Sequence, residues 1–416
     1  MITAIENLLN SKDYDIRKSH NGRWIDQKCT ADMINIIADC IDNFVDKDKN
    51  LEFTIKDIWN SEYVKENVAS IFGKPSTDNS SAKNEYDKFF SQPIKLLANA
   101  GILKEFRKGS NANSYKITNR EILDFIALRE SNALNFLILY IEKVLKDSEL
   151  YSLFDEFFNK QDKDSFKDLK DNFIDFTQKN TAIKREFEPK RIFTKVLNPL
   201  AYKRKKYGTH KGNLSKKIIT LDEIRYNRPN FRDFDKDKSM ARKDFSKPEP
   251  IQKYHVNKAE NDVKKYNKKW NNSLSEIKSE NENNIEATQM HHIFPSSDFP
   301  ILSDYIENII AITPNQHFSM AHPSNSTKYI DKNFQYICLL AKTNTIIQDL
   351  QEHLGFETYS FENYIIVLNT GLKTNEFDSI PELDFKALID KIDYFYDDFD
   401  GSKYGDLLDQ NKQGQK

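Results

Sequence analysis

A chain of 416 residues is long enough for two or three domains, and with only 38% hydrophobic residues it relies on 29 Phe and 19 Tyr for buried bulk. Eleven glycines argue against a β-sandwich or a glycine-rich nucleotide fold, no GxGxxG or P-loop signature occurs, and no apolar run approaches the roughly 18 residues that a membrane span needs. The net charge of −2 hides an asymmetry: 20 Lys or Arg stand against 8 Asp or Glu between Lys184 and Lys247, while Glu382 to Asp409 carries 9 acids against 3 bases.

The first residues have no secretory signal pattern, and Cys29, Cys40 and Cys338 form no CxxC pair. Reduced thiols in a cytoplasmic protein are the expectation. The expected fold class is mainly α with small β elements (α+β).

In chain order, the apolar spacing over residues 31–46 predicts a helix. A short helix follows, capped by Thr54, and a third over 86–100 is ended by Gly101. Strands over 102–106 and 114–118 flank the basic turn Arg107-Lys-Gly-Ser-Asn-Ala-Asn. Three helices and then a basic hairpin resemble a winged helix, which implies DNA recognition by the third helix and the wing. Lys95, Lys104, Arg107, Lys108, Asn111, Asn113 and Lys116 are the candidate contacts there. Residues 120–182 read as amphipathic helices around the core stretch 136–141.

The basic segment contains Lys203-Arg204-Lys205-Lys206-Tyr-Gly, Ser215-Lys-Lys and Arg225-Tyr-Asn-Arg228-Pro-Asn-Phe-Arg232. Bases interleaved with Tyr, Phe and Asn suit phosphate binding with base contacts close by. Lys203, Arg204, Lys205, Arg225, Arg228 and Arg232 are therefore candidate DNA contacts. The alternative for the arginines is ion pairing with Asp222, Glu223 or Asp233. Residues 257–282 read as a charged connecting helix.

Four of the eight histidines fall between Glu286 and Pro323. The stretch predicts a strand over 287–292, a long turn, an apolar strand over 309–312, and a short helix begun by Thr313 as N-cap and Pro314 at its first position. A phosphodiester resists attack because the nucleophile meets negative charge and the leaving alkoxide is poor. A metal ion can neutralise that charge while a neutral imidazole deprotonates water. Adjacent strand residues point opposite ways, so His291 is assigned to the metal and His292 to the water. His317 is the second ligand, and Asn308 braces the turn. His322 is read as a helix-end histidine, since in an α-helix it sits about 140° round from His317. Glu307 and Asp304 are read as solvated turn residues. Helices over 329–354 and 381–395 follow, and the acidic tail from Asp397 is expected to fray.

The order His291-His292, Asn308, His317, with the wording His-His-Ile-Phe-Pro and Glu307-Asn-Ile-Ile-Ala-Ile-Thr-Pro-Asn-Gln-His, resembles the HNH, or ββα-metal, nucleases, most of all HNH-type type II restriction endonucleases. The likeness spans about residues 190–330. It implies His291 and His317 as metal ligands, His292 as general base with Asn308 beside it in the catalytic set, and a divalent cofactor, Mg²⁺ or Mn²⁺. Some members add a histidine four residues after the last ligand, where Ala321 stands here, and the zinc-binding Cys pairs of other members are absent. The implied partners are double-stranded DNA, a second copy of the chain on that DNA, and a companion methyltransferase in the same system. No membrane is implied. The expected regions are 1–182, winged-helix-like DNA recognition; 183–256, basic DNA-contacting segment; and 257–416, HNH nuclease with C-terminal helices. The type IIS habit of cutting away from the recognised site fits such separable parts. The alternatives are a winged-helix DNA-binding regulator with a structural metal site, and an HNH homing or toxin nuclease.

Overall fold

A computed structural model describes residues 1–45, 51–71, 83–106, 113–226, 249–322 and 330–412. The described residues are mostly helical, with one three-stranded and two two-stranded antiparallel sheets. No described helix is long and apolar enough to cross a membrane. The chain divides into two compact units, Met1–Ser246 and Lys247–Lys416. The described part of the basic segment, up to Tyr226, belongs to the first.

The first unit is built around the helix Ala31–Val45, which is buried nearly all round. Its apolar face carries Ile34, Ile37 and Ile41. Its polar stripe, Asp32, Asn35, Asp39 and Asp42, is buried as well, and each member has a partner outside the helix, those of Asn35 and Asp42 both on the helix Arg120–Leu128. Asp32 accepts from the Tyr226 amide at 3.0 Å, Asn35 donates to the carbonyls of Ile126 and Ala127 at 2.8 Å, Asp39 accepts from the Tyr63 hydroxyl at 2.6 Å, and Asp42 pairs with Arg120. Buried polar groups without partners would cost more than the packing returns, so this stripe selects which segments may surround the helix.

Thr54 and Asp57 form a reciprocal capping box at the helix Ile55–Asn60, and Gly101 ends the helix Lys83–Asn99 with φ +83. The strand Phe53–Thr54 pairs with Ser114–Ile117, which pairs in turn with Leu103–Phe106. Further on, Phe154, Phe157, Phe166, Phe173 and Phe193 meet ring against ring across three helices, supplying the apolar bulk that aliphatic residues do not.

In the second unit the connecting helix runs Glu249–Trp270 and stops short of residue 282. Asn271 turns its amide onto the carbonyls of Leu274 and Ser275, and Asn272 and Ser273 adopt positive φ, so the polar side chains compete with the helix for its backbone. The strands Gln289–His292 and Ile309–Ile312 pair antiparallel, with His291 opposite Ile310 and His292 opposite Ile309. Behind them Lys342, fully buried, donates to both oxygens of Glu276 and to the Tyr359 hydroxyl, and Glu276 accepts the Ala311 amide at 2.8 Å. This ion pair clamps the inner strand to the helix Lys332–Glu352 and to Tyr359.

The acidic tail does not fray within the described residues. Gly401–Lys412 is helical, buries Tyr404, Leu407 and Asn411, and uses Asn411 to bracket the backbone of Lys278 on both its N–H and C=O sides. Its apolar positions recur at helical spacing inside an acidic composition, and packing decides the outcome.

Candidate metal centre

His291 and His292 occupy the end of the first strand, where alternation sends their rings to opposite faces. His291 is 3% exposed, while His292 is half-buried. His292 Nε2 lies 2.9 Å from the Ser303 carbonyl oxygen. A carbonyl only accepts, so in the neutral ring the proton sits on Nε2 and Nδ1 is the acceptor. That is the form a general base requires.

Asn308 is fully buried and acts on His292 through the loop. Its Oδ1 accepts the Phe294 amide at 2.9 Å, and its Nδ2 donates to the carbonyls of Phe294 and Leu302 at 3.1 and 3.2 Å. Both ends of the turn are thereby tied, one residue from the carbonyl that holds His292.

The helix bearing His317 starts as expected. Thr313 Oγ1 accepts the Gln316 amide at 3.1 Å, and the Gln316 side chain returns to accept the Thr313 amide at 3.0 Å. The Thr-x-x-Gln spelling is the sequence signal for this box, beyond the N-cap reading of Thr313. Glu282 adds a second tie, accepting from the Thr313 hydroxyl and the Asn315 amide at 2.6 Å each, and Ser275 donates to Gln316 at 2.6 Å. Nothing local in the sequence points to Glu282 or Ser275, which come from 31 and 41 residues upstream.

The reading of His322 requires correction. Residues Gln316–Ala321 form a π-helical turn, and the His322 amide donates to the His317 carbonyl at 3.2 Å, five residues back. The wider turn places positions five apart, rather than four, on one face. Ring centroids of His291, His317 and His322 lie 5.0–5.3 Å from one another, and one nitrogen from each falls within 4.8 Å of the others. The turn is held from outside: the Tyr404 hydroxyl donates to the Met320 carbonyl at 3.3 Å and the Asp331 amide to the Ala321 carbonyl at 3.0 Å.

Burial lowers the His291 pKa well below the usual imidazole range, with His317, His322 and His292 adding to the effect, and burial followed by His322 lowers that of His317. Both shifts favour the neutral ring, the form in which an imidazole can bind a metal. His291 Nε2 and His317 Nδ1 are buried with no hydrogen-bond partner among the described residues. Two buried nitrogens without partners, on two rings of the cluster, are the donor chemistry that a cation would satisfy.

Glu307 also departs from expectation. It is 1% exposed and its carboxylate accepts the Ser360 amide at 2.8 Å, while Asp304 is exposed as expected. Of the candidate DNA contacts, Arg107, Lys108, Asn111, Arg228 and Arg232 lie outside the described residues. Arg204 pairs with Asp155 at 2.7 Å and donates to the Tyr151 hydroxyl, and Arg225 grips Glu130 through Nε and Nη2. Both guanidiniums are committed inside the first unit, so the ion-pairing alternative describes them better than phosphate contact. Lys203 leans toward Glu142 at 3.9 Å. Lys95, Lys104 and Lys205 are exposed. Asn113 donates to Glu105.

No known family, no curated protein and no solved structure matches this chain.

Proposed function

We propose that this chain is a metal-dependent endonuclease of the HNH type that hydrolyses phosphodiester bonds in double-stranded DNA, acting as a type II restriction enzyme. The observation that carries the reading is the division of the strand-end pair. His291 turns inward to join His317 and His322, while His292 lies on the opposite strand face with Nε2 on the Ser303 carbonyl and no hydrogen bond to Nδ1 among the described residues.

His291, His317 and His322 would hold the ion, which when bound supplies positive charge at the phosphate and the leaving oxygen. A donor set of three neutral imidazoles suits Mn²⁺, Co²⁺, Ni²⁺ or Zn²⁺ better than Mg²⁺, which prefers oxygen. Three ligands also leave a position open, whereas a purely structural zinc site is closed by four. His292 Nδ1 accepts the proton of the attacking water, and the resulting imidazolium is stabilised by the Ser303 carbonyl. Asn308 keeps that carbonyl in place.

In the first unit, the edge-to-centre sheet order with Phe53–Thr54 beside Ser114–Ile117 supports a winged-helix reading of the DNA-recognition part. One active site per chain and two strands to cut make a dimer on DNA the working arrangement, and a companion methyltransferase would protect host DNA.

The test is digestion of phage and plasmid DNA with the pure protein and Mn²⁺ or Mg²⁺, followed by mapping of the ends. Discrete fragments with fixed termini support the reading. Intact DNA under every divalent ion refutes it.

A further inference from the structure

From Lys203 to Thr220 the chain carries seven Lys or Arg and no Asp or Glu. The structure folds most of this run into a two-stranded antiparallel ribbon, Tyr207–His210 with Asn213–Ile218. One face of the ribbon is mounted firmly on the helix Phe187–Lys203. The Asn198 amide brackets Thr209, accepting its N–H at 2.8 Å and donating to its C=O at 3.0 Å. Gly208 presses so close that a Cβ there would meet Asn198 Oδ1 at 2.6 Å. Lys170 ties the turn by donating to the Gly212 carbonyl at 2.6 Å, and Gln161 accepts the Tyr207 amide at 2.7 Å.

The lysines lie before the first strand, in the turn and in the second strand, where the register shifts between Tyr207 and Thr209. Lys205, Lys206, Lys211, Lys216 and Lys217 are exposed, and none has a carboxylate within ion-pairing distance among the described residues. Between them Tyr207 and Ile218 stand directly opposite each other, 38% and 51% exposed. Protein surfaces ordinarily intersperse the two signs of charge. Lys203 and Arg204 turn to Glu142 and Asp155, but the five exposed lysines leave a surface of one sign that suits a polyanion.

We infer that this ribbon is a docking surface for duplex DNA, with the lysines against phosphates and the Tyr207–Ile218 pair against the groove floor. A two-stranded ribbon has the width that the major groove admits. Lysines act as point charges on phosphate without needing a fixed geometry. A single aromatic is too little for the stacking platform of single-strand binders, and two apolar side chains are too little to insert into a lipid surface. The inference shares only the substrate with the proposed nuclease activity.

The test is binding of the full chain to a fluorescein-labelled duplex in EDTA over a salt series. Lys205→Ala/Lys206→Ala and Lys216→Ala/Lys217→Ala should each lower the slope of log K against log salt by about 2, at roughly 0.9 per lost phosphate contact. The corresponding Lys→Arg pairs should keep the parental slope, and Tyr207→Ala should weaken binding without changing it. The idea is overturned if both alanine pairs keep the parental slope with unchanged melting curves, or if the protein sediments with phosphatidylserine vesicles and leaves the duplex free. Because no cleavage is measured, a chain that binds through the ribbon and never cuts refutes the nuclease reading alone. A chain that cuts while both alanine pairs bind with the parental slope refutes this one alone.

Discussion

His317 and His322 lie five residues apart and face each other at 5.0 Å between ring centroids, because the backbone between them closes an i to i+5 hydrogen bond. In an ordinary α-helix these rings would diverge by about 140°. Replacing either by Ala should therefore weaken Co²⁺ binding to a similar degree. The loss should be at least roughly tenfold, since even outer-shell partners of metal ligands cost that much. A titration in which His322→Ala binds Co²⁺ like the parent removes His322 from the site.

His292→Ala should behave differently. It should leave Co²⁺ affinity and DNA binding near the parental values and lower the cleavage rate by at least roughly 10²-fold, the usual loss on removing a general base. Near-parental cleavage by this variant would place the base elsewhere.

Tyr404 reaches from the C-terminal helix to the Met320 carbonyl inside the π-helical turn. Tyr404→Phe deletes one hydrogen bond, on the order of 1 kcal/mol, and keeps the ring packed on Phe334. The expected result is weaker Co²⁺ binding and an altered visible spectrum of the bound ion, with little change in melting temperature. Identical spectra and affinities would show that the turn holds its shape without Tyr404.

Lys342 and Glu276 form a fully buried pair. Lys342→Met should destabilise the fold by about 3–5 kcal/mol in a denaturant titration, because it leaves a carboxylate buried and unpaired. Adding Glu276→Gln should recover most of that loss, since an amide oxygen can still accept the Ala311 N–H. If the double variant is no more stable than the single one, the pair matters for more than charge balance.

Arg225 is bound to Glu130 and half-buried. Arg225→Ala should cost roughly 1–2 kcal/mol, the lower part of the range for charged hydrogen bonds because both partners keep some water. The salt dependence of DNA binding should not move. A slope that falls by about 1 would return Arg225 to the phosphate contacts.

The elements around the histidines were legible because their signals are local. Proline and threonine set the helix start, alternation separated His291 from His292, and the apolar run Ile309–Ile312 could only be an inner strand. His322 was misplaced because its position depends on a turn whose carbonyls are satisfied by Tyr404 and Asp331, and the 3.6-residue period says nothing about that. Glu307 was misplaced for a similar reason: its partner, the Ser360 amide, is 53 residues away. Arg204 and Arg225 looked free because their acids, Asp155 and Glu130, are also far off in sequence. Composition revealed the charge but not which charges were already spoken for.

The pairing of His291 with Ile310 and His292 with Ile309 works as a reading frame. Under the proposed function, two identical, neighbouring side chains would take different tasks only through the side of the strand pair on which each falls. A slip of one residue would exchange their directions while leaving composition and charge untouched. His292 would enter the cluster, and the Ser303 carbonyl would lose its imidazole. Insertions in the loop between the strands are therefore tolerable only where Asn308 still ties both ends, because that one amide keeps the frame from which the chemistry is read.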